Sequence, residues 1–246
     1  MRSLWKNPVI GSGQAAGILS PSSFERIMKN ASTTPAEVPA DLLALRVIPV
    51  IVLGDPETAV PLAETLVSHG LPVAEVTLRT EAGLESIRRM SAVEGLHLGA
   101  GTVLTRDEAE RAVEAGAGFL VSPGLHEEVV EYAAEAGVPV VPGVMTPGEI
   151  ARAMALGLKT LKFFPANLAG GVPMLKALGS VYPDIRFLPT GGVNVENLGS
   201  YLALPGVAAC GGSWLAPRDL IDSGKFDEIG ARVRHAVELI QSFEGK

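Results

Sequence analysis

The chain has 246 residues, 47% of them hydrophobic and 19% charged, with 28 glycines and 18 prolines. That length suits one large domain whose core needs no covalent staple, and the composition excludes collagen-like, disordered and miniature disulfide scaffolds. A single cysteine, Cys210, excludes an intrachain disulfide and a cysteine-rich zinc site, and a net charge of −7 without a basic cluster argues against nucleic acid or an acidic membrane as partner.

No apolar stretch reaches the roughly 18 residues that span a bilayer. Gly, Ser and Gln interrupt the segment after Arg2 and Lys6, so no signal peptide is expected, and a cytoplasmic location is. Residues 1 to about 40 are rich in Ser, Thr, Pro, Ala and Gly and read as an irregular arm with a short helix around 24–29. From 41 to 246 the texture is uniform, which predicts a single domain.

Within it, short apolar runs alternate with Ala/Glu-rich helical segments. The predicted strands are 46–53, 73–79, 96–101, 118–122, 138–142, 159–164, 185–190 and 207–211. Asp55-Pro56 reads as an N-cap followed by proline at the first helical position, and Thr105 with Glu108 and Thr146 with Glu149 read as capping boxes. Gly70, Gly116, Gly137 and Gly157 stand where helices should stop. Eight β-then-α units over about 200 residues predict an α/β chain of the (β/α)8 TIM-barrel type. An open doubly wound sheet would want a G-x-G-x-x-G turn after its first strand, whereas Leu53-Gly54-Asp55 stands there. Pro49 inside the first strand fits neither scheme well.

In the second strand, alternation puts Glu75, Thr77 and Arg79 on one face and Val76 and Leu78 on the other. The outer face of such a strand meets helices, so the polar set is expected inside, with Arg79 at the C-terminal mouth. A structural ion pair and a reactive site both remain open for it, because a buried charge costs several kcal/mol unless paired. In the sixth strand Leu161 and Phe163 take the outer face, turning Lys162 and Phe164 inward. Of seven lysines only Lys162 sits mid-strand between apolar neighbours. A lysine desolvated there has a lowered pKa and a neutral amine able to attack a carbonyl. The plainer alternative is a lysine that only neutralises Glu75.

Thr190-Gly191-Gly192 follows the seventh strand and leads to Asn194, a plausible helix cap, and Gly211-Gly212-Ser213 follows the eighth. Loops at these places can present bare N–H groups to a phosphate. His69, His97, His126 and His235 are scattered without metal-ligand spacing, so no metal is expected. No G-x-S-x-G occurs, and Cys210 lies in an apolar run, which suits a core residue better than a nucleophile.

The motifs Glu75-Val76-Thr77-Leu78-Arg79-Thr80, Gly99-Ala100-Gly101-Thr102-Val103-Leu104, Ser122-Pro123-Gly124, Leu161-Lys162-Phe163-Phe164-Pro165-Ala166, Pro189-Thr190-Gly191-Gly192 and Gly211-Gly212-Ser213-Trp214-Leu215 closely resemble those of the KHG/KDPG aldolases, which act on 2-keto-3-deoxy-6-phosphogluconate (KDPG) or 4-hydroxy-2-oxoglutarate (KHG). The likeness runs from about 46 to 240, with its motifs in order. It implies a lyase of the Entner–Doudoroff pathway that cleaves KDPG to pyruvate and glyceraldehyde 3-phosphate. Lys162 would form the Schiff base and Glu75 would move protons through a water. Arg79 and Thr102 would hold the pyruvyl carboxylate, with Pro123 and Phe164 walling the pocket. Thr190, Gly191, Gly192, Gly212 and Ser213 would take the phosphate. The resemblance also implies a homotrimer without metal or organic cofactor.

Within the class, a KHG aldolase or an aldolase for the galactose-series epimer is an alternative. From other classes, a phosphate-binding barrel isomerase or synthase would keep the glycine loops without a Schiff base, and a non-catalytic binding protein would need neither Lys162 nor Glu75 inside.

Overall fold

Glycine stops and side-chain caps punctuate the chain where the sequence places them. The computed structural model of the protein describes residues 34–244; the expected helix at 24–29 and most of the arm lie outside this range, and residues 34–39 carry no regular structure. In chain order the described elements are α1 Ala40–Ala44, β1 Val47–Ile51, a 3-10 turn Pro56–Thr58, α2 Ala59–Ser68, β2 Val73–Thr77, α3 Gly83–Met90, β3 His97–Gly101, α4 Arg106–Glu114 and β4 Phe119–Val121. Then come α5 Glu127–Ala136, β5 Val140–Val141, β6 Gly143–Val144, α6 Pro147–Ala155, β7 Thr160–Phe163 and α7 Gly171–Val181. The last are β8 Arg186–Pro189, α8 Leu198–Leu202, β9 Cys210–Gly212, α9 Arg218–Asp222 and α10 Phe226–Glu244.

Both capping boxes form: Thr105 and Glu108, and Thr146 and Glu149, each satisfy the other's free backbone N–H. The Asp55 carboxylate accepts from Glu57 N at 2.9 Å and starts the 3-10 turn that opens into α2. Gly137 ends α5 at φ 68°, in the left-handed region where a Cβ is penalised. Asn194 does not cap α8; its side chain and that of Asn197 accept from each other's backbone N–H in a separate turn ahead of the helix.

All strand pairs are parallel. Six strands run β5-β4-β3-β2-β1-β9 and three run β6-β7-β8. Phe187 bridges to Val207 and Thr190 to Gly211, which joins β8 to β9. The expected fifth strand, 138–142, shrinks to β5: Pro142, which has no N–H to give to a ladder, ends it, and β6 follows beyond the expected range. The result is an α/β fold with a curled parallel sheet. Leu161 and Phe163 of β7, and Ala74 and Val76 of β2, are fully buried on the outer, helix-facing side.

Two expected strands move. The eighth begins at Cys210 rather than 207, because the Arg46 guanidinium takes the Val207 and Ala208 carbonyls at 3.1 and 2.6 Å. The second ends at Thr77 rather than 79: Leu78 N still bonds Gly101 O at 2.8 Å, and the chain then turns toward α3. Pro49 lies inside β1 just before its ladder with β2 begins, at Val50 opposite Glu75, where a missing donor costs least.

Candidate active site

Residues in register on parallel strands point to the same side. Glu75 registers with Val50 and Gly99, and Thr77 with Gly101. Lys162 registers with Gly143 and Leu188. These residues share the concave face, as alternation requires.

Glu75 is wholly buried and Lys162 is 5% exposed. Lys162 Nζ donates to Glu75 Oε1 at 3.2 Å, and the Phe164 ring centroid lies 5.4 Å from Nζ. Among the described residues Glu75 Oε2 has no hydrogen-bond partner. A buried acceptor left unpaired costs about 1–3 kcal/mol and more when charged. Burying the pair costs several kcal/mol per ion before their attraction returns any of it. The interior thus holds an amine, a carboxylate with one free oxygen, and an aromatic wall.

Space for them comes from glycine. A Cβ on Gly101 would stand 2.3 Å from Glu75 Oε1, and one on Gly99 2.2 Å from the Phe119 ring. A Cβ on Gly143 would stand 2.1 Å from Pro123 O, so the loop after β4 crosses tightly over the residue registered with Lys162. A Cβ on Gly211 would meet Thr190 Oγ1 at 2.3 Å. Sequence reading passed over these inward roles of Gly99, Gly101, Gly143 and Gly211; the available signal was glycine inside a strand, which marks close approach by a neighbour.

The remaining expected residues lie at the strand ends. Arg79 is not on the inner face of a strand: it is exposed in the turn after β2, so alternation does not aim it. Gly83 packs α3 so closely on this turn that a Cβ there would be 2.8 Å from Thr77 O, and Thr80 Oγ1 donates to Leu53 O at 2.5 Å. Thr102 follows β3 half-buried at φ 59°, a strained conformation for a β-branched residue. The Leu78–Gly101 ladder bond sets the Arg79 turn beside Thr102.

Pro123 is half-buried. Thr190 is buried and bridges to Gly211. Gly191 and Gly192 have φ of 96° and 81°, and a Cβ on Gly191 would come within 3.3 Å of Phe164 Cε2, so that loop touches the aromatic wall. Gly212 lies against the Trp214 ring, and Ser213 is exposed. Cys210 is buried in β9, and burial pushes its thiol up to about 12. Among the described residues no three or more His, Cys, Asp or Glu side chains are grouped to hold a metal.

Fold and candidate site together define an α/β protein with a curled parallel sheet whose concave face holds a buried lysine paired with a carboxylate. A family model for KDPG and KHG aldolase matches residues 38–232. The 2-dehydro-3-deoxy-phosphogluconate aldolase of Haemophilus influenzae is 41% identical over 211 residues, covering 85% of this chain and 100% of that one. The KHG/KDPG aldolase of Escherichia coli strain K12 is 43% identical over 212 residues, covering 86% and 98%. A solved structure of KDPG aldolase from Legionella pneumophila, with pyruvate captured at low pH as a covalent carbinolamine intermediate, is similar with a TM-score of 0.78 and 39% identity, covering 81% of this chain and 98% of that one. The chain belongs to the KDPG/KHG aldolase family. It is an aldolase and therefore a lyase, and the isomerase, synthase and binding-protein alternatives are not favoured.

Proposed function

We propose that this aldolase cleaves 2-keto-3-deoxy-6-phosphogluconate to pyruvate and glyceraldehyde 3-phosphate through a Schiff base on Lys162. The observation that carries the reading is the buried contact of Lys162 Nζ with Glu75 Oε1 at 3.2 Å, with the second carboxylate oxygen unpartnered. An amine in such a place has a base beside it to take a proton and little water to compete with a ketone.

The Lys162 amine adds to the C2 carbonyl, and loss of water leaves a protonated imine. Glu75 accepts the C4 hydroxyl proton through a water, the C3–C4 bond breaks, and its electron pair flows into the imine to form an enamine. Glyceraldehyde 3-phosphate leaves. Protonation at C3 and hydrolysis then release pyruvate and the free amine. Proton transfer by a positioned group contributes about 10²–10⁴ in rate.

Arg79 and Thr102, neighbours at the ends of β2 and β3, hold the pyruvyl carboxylate in this reading. Pro123 and Phe164 wall the pocket, and Thr190, Gly191, Gly192, Gly212 and Ser213 take the phosphate. With β5 and β6 counted as one broken strand, the chain forms one (β/α)8 barrel over 41–246 in this reading. The enzyme works as a cytoplasmic homotrimer without metal or organic cofactor.

The test is incubation with pyruvate and borohydride followed by peptide mass spectrometry. A reduced pyruvyl adduct on Lys162 is expected. Lys162→Arg should fold, yield no adduct and lose turnover by several orders of magnitude, because a guanidinium with a pKa above about 12 has no neutral amine. Near-normal cleavage by that variant would overturn the assignment.

A further inference from the structure

Two inward glycines flank Glu75. Gly99 registers directly with it, and Gly101 registers with Thr77, the next residue on the inner face of β2. Neither has φ in the left-handed region, so neither is glycine for the sake of its backbone. What matters is the space beside each. The recess at Gly99 is filled by the Phe119 ring, whose Cε2 and Cζ lie 2.2 and 2.3 Å from where a Cβ would be. The recess at Gly101 is filled by Glu75 itself, with Oε1 at 2.3 Å, Cγ at 2.6 Å and Cδ at 2.9 Å from that position. With the ring in the nearer recess, the carboxylate leans over the farther one, toward the C-terminal ends of the strands. Oε1, the oxygen seated at Gly101, is also the one 3.2 Å from Lys162 Nζ.

We infer that Gly101 is a positioning residue: its missing side chain is the recess that seats Oε1 against Lys162 and leaves Oε2 free for a substrate or water proton. The inference rests on the reading of Glu75 as proton carrier. Alanine can adopt the Gly101 backbone, so Gly101→Ala closes the recess without straining the chain. Three atoms of Glu75 would then lie nearer than a real Cβ tolerates, and the flexible carboxylate must swing aside. A misplacement of about 1 Å can cost on the order of 10²-fold in rate.

The experiment follows deuterium exchange at the pyruvate methyl by NMR, beside borohydride trapping on Lys162. Gly101→Ala is expected to trap pyruvate as the wild type does, while its exchange slows by on the order of 10²-fold. In a Glu75→Ala background the recess is empty, and Gly101→Ala should leave the residual exchange unchanged. A glycine needed only for folding would lower both backgrounds by the same factor. Wild-type exchange in Gly101→Ala, or equal fractional loss in both backgrounds, overturns the inference. Should Gly101→Ala fail to fold, recovery of folding when Glu75→Ala and Lys162→Met are added together, which strands no charge, supports the clash, and continued failure overturns it. Glu75→Gln exchanging at the wild-type rate would remove the proton-carrier reading and this inference with it, whereas a slow Glu75→Gln beside a normal Gly101→Ala sinks this inference alone.

Discussion

Lys162 and Glu75 meet from strands that never pair. β2 belongs to the six-stranded sheet and β7 to the three-stranded one, yet Nζ and Oε1 are 3.2 Å apart. Only the curl of the sheet brings them together, so the site exists only in the assembled fold. The mechanism proposed above gives the two groups separate tasks, and removing the carboxylate alone should separate them.

Glu75→Gln keeps the size of the side chain and a hydrogen-bonding oxygen but cannot accept a proton. Exchange at the pyruvate methyl should fall by about 10²–10⁴. Borohydride trapping on Lys162 should persist, because in the proposed mechanism the imine that borohydride reduces forms on the lysine. Methyl exchange at the wild-type rate would make Glu75 a structural partner of Lys162 and nothing more.

Stability gives an independent check on the same pair. A buried ion pair is often no more stable than apolar side chains of similar volume, and replacing one can stabilise by about 1–4 kcal/mol. Glu75→Leu/Lys162→Met should therefore unfold at equal or higher urea concentration than the wild type, while losing all cleavage. Each single replacement should destabilise by about 3–5 kcal/mol, since it strands the other charge. A double variant several kcal/mol less stable than the wild type would show that the pair is kept for the fold.

Much of this site was legible because β7 is apolar on both sides of Lys162, and a lysine there has few structural uses. Glu75 was legible for the same reason on β2. The helix boundaries were readable where a side chain makes the cap, as at Thr105 and Thr146. What could not be read depended on distant neighbours. Alternation carried Arg79 inward, but the packing of Gly83 on Thr77 turns the chain before it gets there. The apolar run 207–211 looked like strand throughout, yet the Arg46 side chain, 161 residues from Val207, claims its first carbonyls. The inward glycines gave no periodic signal, because their meaning lies in what Glu75, Phe119, Pro123 and Thr190 place beside them.

Cys210 should behave as core. Burial holds its thiol at about 12, above the ordinary value of 9.0, with the Arg46 charge opposing only in part. The folded state thus keeps the proton more tightly than the unfolded one. Its contribution to stability is complete below about pH 9 and is lost as pH rises through that value toward about 12. Iodoacetamide at pH 8 should leave the native thiol unlabelled over a time that labels the urea-unfolded chain fully. The alkaline fall in urea midpoint should be shallower in Cys210→Ala. Rapid labelling of native protein would contradict the burial.

The proposed phosphate end is best tested at Ser213, and the reason lies in Trp214. A side chain on Gly212 would stand 1.5 Å from Trp214 Cζ3 and 2.0 Å from Cε3, so Gly212→Val displaces the indole before it obstructs any ligand. That variant should lose stability and lose kcat/KM on phosphorylated and unphosphorylated sugar acid alike. Gly191→Ala should also harm both substrates, since φ of 96° strains an L-residue and the new methyl presses on Phe164 at 3.3 Å. Ser213 is exposed at the end of β9, and removing its hydroxyl disturbs no packing. If it donates to a phosphate oxygen, Ser213→Ala forfeits a bond to a charged group worth about 1.5–3 kcal/mol. This is roughly a 10–100-fold loss in kcat/KM on 2-keto-3-deoxy-6-phosphogluconate at 1.4 kcal/mol per tenfold. The unphosphorylated acid never makes that bond, so its kcat/KM should stay near the wild-type value. Steady-state kinetics with both substrates on Ser213→Ala decides the question, and equal losses on the two would mean that Ser213 does not read the phosphate.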